Sequence, residues 1–478
     1  MDQLRTRFAP SPTGYLHVGG LRSALYSYLY AKKNNGKFIL RIEDTDQGRY
    51  VEGAVEIIYR TLRDTGILWD EGPDVGGDYG PYIQSERKNE YLYYAKKLVE
   101  SGHAYYCFCT EERLANLPDV NGARRYDKHC LHLSREEAER RIAAGEKYVI
   151  RQNMPAEGST TYRDVVYGDI TIENSELEDQ ILIKSDGMPT YNFANVIDDH
   201  LMNINCVMRG IEYLSSTPKY NLLYDAFGWE RPTYIHMPPI MKDAQHKLSK
   251  RNGDASYEDL IKKGYLKDAI INYIALLGWS PKDDSEKMSF EELKQKFDVA
   301  GINKSPSIFD PMKLAWLNSL YIKEMPPEDF AEYAAPWLDN CYLKNFSKQL
   351  VCKLIQSRIE TFAEIEDKLR FLAEFDKFDA ELYVNQKQKA DAALAKEILP
   401  SVIQKLSNVT EWTNQSLFDA LVGLTAELNC KKGAVLWIAR IALTGLAVTP
   451  GGASEIAELL GKQETLRRLD LSNKMLKS

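Results

Sequence analysis

Three groups of residues in this chain have the types and spacing to do chemistry. In RTRFAPSPTGYLHVGG, from Arg5 to Gly20, His17 stands between a Pro- and Gly-rich turn and a glycine pair. Leu21, Ala24, Leu25, Tyr28 and Leu29 follow at helical spacing, so Gly19 and Gly20 open a helix whose free amides attract anions, phosphate included. The glycine spacing approaches a phosphate loop, but Gly20 stands where that motif needs lysine, and no G-x-G-x-x-G is present. The second group is HKLSKRNGD from His246, where Lys247, Lys250 and Arg251 flank a serine. That composition suits neutralising phosphate charge, and equally a solvated loop. The third is Cys107-Phe-Cys109 with Cys130-Leu-His132, separated by 20 residues. Three thiolates and one imidazole make a closed tetrahedral zinc set, the alternative being reduced thiols in a loop; His129, beside Cys130, is a rival ligand.

The elements that must position these groups follow from the pattern. Phe8 and Ala9 end a short strand, Pro10 and Pro12 forbid a ladder or helix, and Gly14 permits a positive φ, so a turn precedes the His17 helix. A strand at Lys37 to Ile42 and a helix through Val51 to Leu62, ended by Gly66, continue an alternation that implies α/β with a parallel sheet. From Tyr105 to about Lys184 the texture changes to short strands, the Cys/His cluster and a charged helix around Ser134 to Ala144, which reads as an inserted module. The α/β pattern resumes with PTYNFANVIDDHLMNINCVMRGIEYL and YIHMPPIM, and from about Tyr257 nearly everything is helical.

Composition narrows the classes. A formal net charge of −8 over 478 residues argues against a generic polyanion binder while leaving room for local basic surfaces. The N-terminus has no apolar h-region, and AVLWIARIALTGLAV, Ala434 to Val448, is interrupted by Arg440 and too short to span a bilayer, which implies a cytoplasmic protein. No Ser/His/Asp or Cys/His nucleophile arrangement stands out. EDTDQG opens like a calcium loop, but Gly48 falls where an oxygen ligand is needed. Asp198, Asp199 and His200 are taken as residues that orient their neighbours and are left out of the site.

RFAPSPTGYLHVGG, LRIEDTD, PTYNFANVIDDHL and KLSKR, in that order over the whole chain, resemble the bacterial type of glutamyl-tRNA synthetase, a class I aminoacyl-tRNA synthetase of the glutamyl/glutaminyl subfamily. The resemblance implies a Rossmann-type parallel-sheet catalytic domain interrupted by an α+β insert and followed by all-α anticodon-binding domains. It divides the chain into a first catalytic half (1–104), a zinc-bearing acceptor module (105–187), a second catalytic half with KLSKR (188–256), a stem-contact helical domain (257–325) and an anticodon-binding region (326–478).

The activity implied is glutamate–tRNA ligation with ATP and Mg²⁺. His17, Gly19, Gly20, Tyr213 and Lys250 would meet ATP, with Lys247 beside them. Arg7 and Arg209 would hold the γ-carboxylate of L-glutamate with Tyr191 close by, and Ala9, Ser11, Glu43 and Asn195 would complete the pocket, Glu43 taking the α-amino group. Structural Zn²⁺ on Cys107, Cys109, Cys130 and His132, tRNA(Glu) with Arg358 at its anticodon, and a monomer complete the expectation. The rivals are a glutaminyl enzyme, an enzyme charging both tRNAs, a tRNA-binding protein that has lost catalysis, and a small-molecule nucleotidyltransferase. Retention of His17, Glu43 and Lys250 together weighs against lost catalysis.

Overall fold

The computed structural model describes residues 3–120, 123–248, 256–339, 341–375 and 379–477. They fall into two compact units, residues 1–261 with 267–311, and residues 262–266 with 312–478.

The first unit begins with a β-α-β turn of chain. Strand Arg5–Phe8 runs into a turn in which Gly14 takes φ +112°, a conformation open to glycine. Helix Val18–Lys33 follows, burying Leu21, Ala24, Leu25, Tyr28 and Leu29, the positions the spacing marked. Strand Lys37–Leu40 then pairs parallel to the first, Arg7 opposite Ile39. Its regular part ends two residues earlier than the apolar run Lys37 to Ile42, although Ile42 still bridges to Ile83. Helix Ala54–Asp64 precedes Gly66, which has φ +73°.

Later in the chain, strands Cys206–Gly210 and Thr233–Met237 pair parallel with Arg209 opposite His236. The Asn205 N–H donates to the Arg5 carbonyl, which seats this pair beside Arg5–Phe8. Arg7, Arg209 and His236 are each the last residue but one of a parallel strand. The carboxyl ends of such strands are where open α/β sheets place their ligands.

The insert carries its own three-stranded antiparallel sheet, in the order Ala104–Cys107, Val149–Gln152, Ile181–Ile183. Its other hairpin, Ser159–Asp164 with Gly168–Glu173, is not separate from the catalytic sheet. Asp164 pairs with Tyr234, so the hairpin extends the edge of strand Thr233–Met237. The charged helix runs Arg135–Ala143, and the Ser134 side chain caps it by accepting from the Glu137 N–H.

The second unit is helical. Helices Ala392–Ser407, Asn414–Glu427 and Lys432–Thr444 pack with the C-terminal segment Ala453–Lys477, which kinks at Gly461. Buried Arg468 ties the bundle together, donating to the carbonyls of Phe371, Leu372 and Leu443 and to Glu464. The apolar run from Ala434 ends its helix at Thr444, where Gly445 turns with φ 66°. Among the described residues no helix is long and apolar enough to cross a membrane.

Glu71 clamps the start of the catalytic sheet. Its carboxylate accepts from both Arg5 terminal nitrogens at 2.8 and 2.9 Å, from Lys37 at 2.9 Å and from the Tyr82 hydroxyl at 2.8 Å. Burial pushes the carboxyl up, but these donors outweigh it and hold Glu71 at about 2. The stabilisation is therefore full above roughly pH 4.3 and fades as pH falls toward about 2. Glu71→Gln should cost about 3 kcal/mol in urea unfolding at pH 7, with the difference from wild type shrinking in acid. An unchanged midpoint at pH 7 would contradict the clamp.

Candidate active site

The site is assembled around an ion-pair network in which nearly every charged group is buried. Arg7 donates through Nε and Nη2 to the two oxygens of Asp199, at 3.0 and 3.2 Å. Asp199 Oδ1 also accepts from Arg41 Nη1 at 2.7 Å, and Arg41 Nη2 reaches Glu43 Oε1 at 2.9 Å. Neighbouring Asp198 accepts from Arg87 Nε at 2.7 Å, from Gln84 at 2.8 Å and from the Tyr91 hydroxyl. Arg7, Arg41, Glu43, Asp198 and Asp199 are all under 5% exposed. Burial pushes Asp199 up, yet Arg7 and Arg41 outweigh it and keep the carboxyl below its ordinary range. Burial wins at Glu43 over Arg41 and Arg7, and at Asp198 over Arg41 and Arg87, so both are raised.

Helix Tyr191–Leu201 explains how these groups meet. Tyr191, Asn195 and Asp199 are spaced by four, so they share a face, and the Asn195 side chain donates to the Tyr191 carbonyl at 2.7 Å. Adjacent in sequence, Asp198 and Asp199 look like residues that orient their neighbours. They orient distant arginines instead, across more than a hundred residues of chain. Spacing of four from Tyr191 and Asn195 was the sequence signal that could have placed Asp199 in the site.

Arg209 has a different environment. Its Nε donates to His236 Nε2 at 3.2 Å and its Nη2 to Thr217 Oγ1 at 2.7 Å. The guanidinium lies 5.2 Å from the Tyr213 ring centre and 4.8 Å from that of Tyr220, and the Tyr213 ring is 5.3 Å from Tyr191. Glu43 is close enough to Tyr191 and Tyr213 to raise both phenols, burial being the larger cause. Six of the expected pocket residues, Arg7, Glu43, Tyr191, Asn195, Arg209 and Tyr213, thus lie in one neighbourhood. Ala9 and Ser11 flank Pro10, whose carbonyl accepts from the Glu43 N–H at 3.0 Å.

His17 is a helix cap as well as a site candidate. Its Nδ1 accepts from the Gly19 N–H at 3.1 Å. A neutral imidazole so engaged carries its proton on Nε2, leaving that nitrogen a donor. A side chain on Gly20 would meet Leu16 at 3.0 Å, while one on Gly19 would lie 3.5 Å from His17 Nδ1.

The chain that follows the second basic loop returns to His17. Lys247 bridges to Met241 in a short hairpin and is exposed, and Ser256, where the description resumes, bridges to His17. Lys250 and Arg251 lie outside the described residues.

In the insert the ligand atoms of Cys107, Cys109 and Cys130 lie within 4.8 Å of one another, a group able to hold a metal ion. His132 is not brought into that group. A turn in which the Leu133 N–H bonds to the Cys130 carbonyl carries His132 to the exposed side, and His129 is exposed too. The group facing the thiols is the Tyr126 hydroxyl, 3.2 Å from Cys107 Sγ and 3.6 Å from Cys109 Sγ. Hydrogen bonds from Cys130 and then Tyr126 pull the Cys107 thiol down, and Cys130 is correspondingly raised.

In the helical unit, Arg358 sits exposed in the turn Gln356–Arg358, 3.6 Å from Glu455. A cavity of about 550 Å³ is lined by Phe418, Trp437, Arg440 and Glu455, with the Arg440 guanidinium 4.6 Å over Trp437. In the sequence Arg440 is visible only as an interruption of an apolar run.

Comparison with known proteins fits this geometry. Residues 3–316 match the tRNA synthetases class I (E and Q), catalytic domain, and residues 329–472 match an anticodon binding domain. The chain is 56% identical over 479 residues to the glutamate–tRNA ligase of Clostridium novyi, covering 99% of this chain and 98% of that one. It belongs to the glutamate–tRNA ligase family of class I synthetases. The family member from Clostridium kluyveri is 54% identical over 481 residues, covering 100% and 99%. A crystal structure of the family member from Elizabethkingia meningosepticum, in complex with its amino acid, superposes with TM-score 0.88 at 32% identity, covering 99% and 100%.

The network makes a stability prediction. Asp199→Asn leaves two buried arginines short of charge and should cost about 3–5 kcal/mol in urea unfolding. Adding Arg7→Met should recover part of that loss, because the unpaired charge goes with it. A double variant whose loss equals the sum of the two single losses would show that the pair is not coupled.

Proposed function

We propose that this chain is a glutamate–tRNA ligase that activates L-glutamate with ATP to glutamyl-adenylate and transfers it to the 3′-terminal adenosine of tRNA(Glu). The observation that carries this reading is the pair of buried arginines, Arg7 and Arg209, each near the carboxyl end of a strand in a parallel pair. An arginine fork matches a carboxylate, and a buried site with two of them favours glutamate over its neutral amide. Glu43 takes the α-ammonium, a cation that would offset the burial raising its carboxyl, while Ser11, Ala9, Asn195 and Tyr191 close the pocket.

For the nucleotide, His17 Nε2 donates to a phosphate oxygen while the amides at Gly19 and Gly20 attract its charge. Tyr213 packs near the nucleotide. Mg²⁺ supplies charge neutralisation when bound, and Lys247 and Lys250 stabilise the departing pyrophosphate. No covalent enzyme intermediate is required: the substrate carboxylate attacks the α-phosphate, and catalysis is positioning with charge stabilisation.

We assign the insert to the acceptor end of the tRNA, residues 257–325 to the stem and the helical region from 326 to the anticodon. Arg358 and the cavity containing Trp437 and Arg440 supply the cationic and aromatic surface on which unstacked bases are read. Structural zinc fits Cys107, Cys109 and Cys130, three soft thiolate donors within reach of one ion, with the Tyr126 oxygen on the remaining side.

Two measurements test these assignments. ATP–pyrophosphate exchange should depend on glutamate and tRNA, and Lys250→Ala should slow it about a hundredfold; exchange supported by glutamine and not glutamate would overturn the reading. Purified protein should hold about one zinc per chain, lost in Cys109→Ser and kept in His132→Ala. Metal lost from the His132 variant would restore histidine as the ligand.

A further inference from the structure

The two pocket arginines are held in different ways. Arg7 is paired directly with a carboxylate, whereas Arg209 meets an imidazole. Arginine has only donors, so His236 Nε2 must offer its lone pair to Arg209 Nε. The neutral ring's proton is then on Nδ1, which lies 2.7 Å from Asp164 Oδ2. Thr217 Oγ1, 3.4 Å from His236 Nε2, gives its proton to the Tyr213 carbonyl at 2.8 Å and so accepts from Arg209 Nη2. Asp164 is itself fixed, its Oδ1 accepting from the N–H groups of Val166 and Tyr167 and its Oδ2 from the His236 N–H.

We propose that His236, oriented by Asp164, is a positioning residue for Arg209, aiming its guanidinium at the substrate's side-chain carboxylate while leaving its charge uncompensated by any direct carboxylate contact. This rests on the reading of Arg209 as a glutamate-binding residue. Two of the three guanidinium nitrogens are held, and Nη1 has no hydrogen-bond partner among the described residues. A carboxylate in the place of the imidazole would pair with this arginine directly and draw on the charge the substrate needs. A neutral ring orients it without that competition, and Asp164 acts one ring away. The other groups facing the ring are Tyr162, Tyr234 and, at longer range, Glu212. Burial lowers His236 more than Asp164 raises it, which keeps the ring in the accepting form.

The test is glutamate-dependent ATP–pyrophosphate exchange by the full-length protein with tRNA present. His236→Asn keeps a donor for Asp164 but removes the acceptor for Arg209, whereas His236→Gln carries an amide oxygen near the position of Nε2. The Asn variant should raise the KM for glutamate about tenfold, with the KM for ATP within about twofold, and the Gln variant should recover most of the loss. A glutamate KM unchanged in His236→Asn, or a rise shared equally by ATP and by the Gln variant, would overturn the role of His236. Arg209→Met separates the two readings. If it leaves the glutamate KM unchanged, the assignment of Arg209 itself falls, and this inference with it; if it raises that KM while His236→Asn does not, the assignment stands and only the role of His236 fails.

Discussion

The bidentate contact between Arg7 and Asp199 is the interaction on which the rest of the catalytic unit depends. It joins the first strand to a helix nearly two hundred residues later, across the whole insert. Taking two such charges out of water costs several kcal/mol each, and one pair does not offset that by itself. Arg41, Glu43, Asp198 and Arg87 extend the contact into an alternating network, so each buried charge has an opposite partner. Hydrophobic residues could hold the same elements at lower desolvation cost. What they could not do is hold an arginine rigid and charged at the end of a strand.

Rigidity and charge are what the proposed chemistry asks for. An incoming carboxylate gains most from donors that need no rearrangement, since reorientation would consume part of the interaction. Arg7 is fixed by Asp199 and Arg209 by His236 and Thr217, while His17 is fixed by capping the helix it begins. In each case one face of the side chain is anchored. That shared logic connects amino-acid selection with phosphate binding.

Much of this was legible in the sequence. His17 announced both a helix start and a donor, and the two readings turn out to be compatible because they use different ring nitrogens. Arg7 is legible through the family resemblance, near the end of the first strand just before the turn. The role of Asp198 and Asp199 is hidden because adjacent acids look like a local feature, and their partners at 7, 41 and 87 obey no periodicity a sequence displays. The role of Asp164 was equally invisible, since it needs a hairpin of the insert to pair with a strand of the catalytic sheet. At the cysteines, C-x-H spacing suggested an imidazole, but one backbone turn sends His132 outward and Tyr126 approaches from four residues upstream of Cys130. Spacing records which residues are near in sequence, and the turn between them decides which way they face.

The central claim is that a preset pair of arginines receives the side chain of glutamate. A crystal structure of the protein with L-glutamate tests it most directly. The account predicts the γ-carboxylate within about 3 Å of both Arg7 and Arg209, with Arg7 still bidentate on Asp199 and Arg209 still bonded to His236. A γ-carboxylate bound elsewhere, or an Arg7 that leaves Asp199 to reach it, would contradict the account.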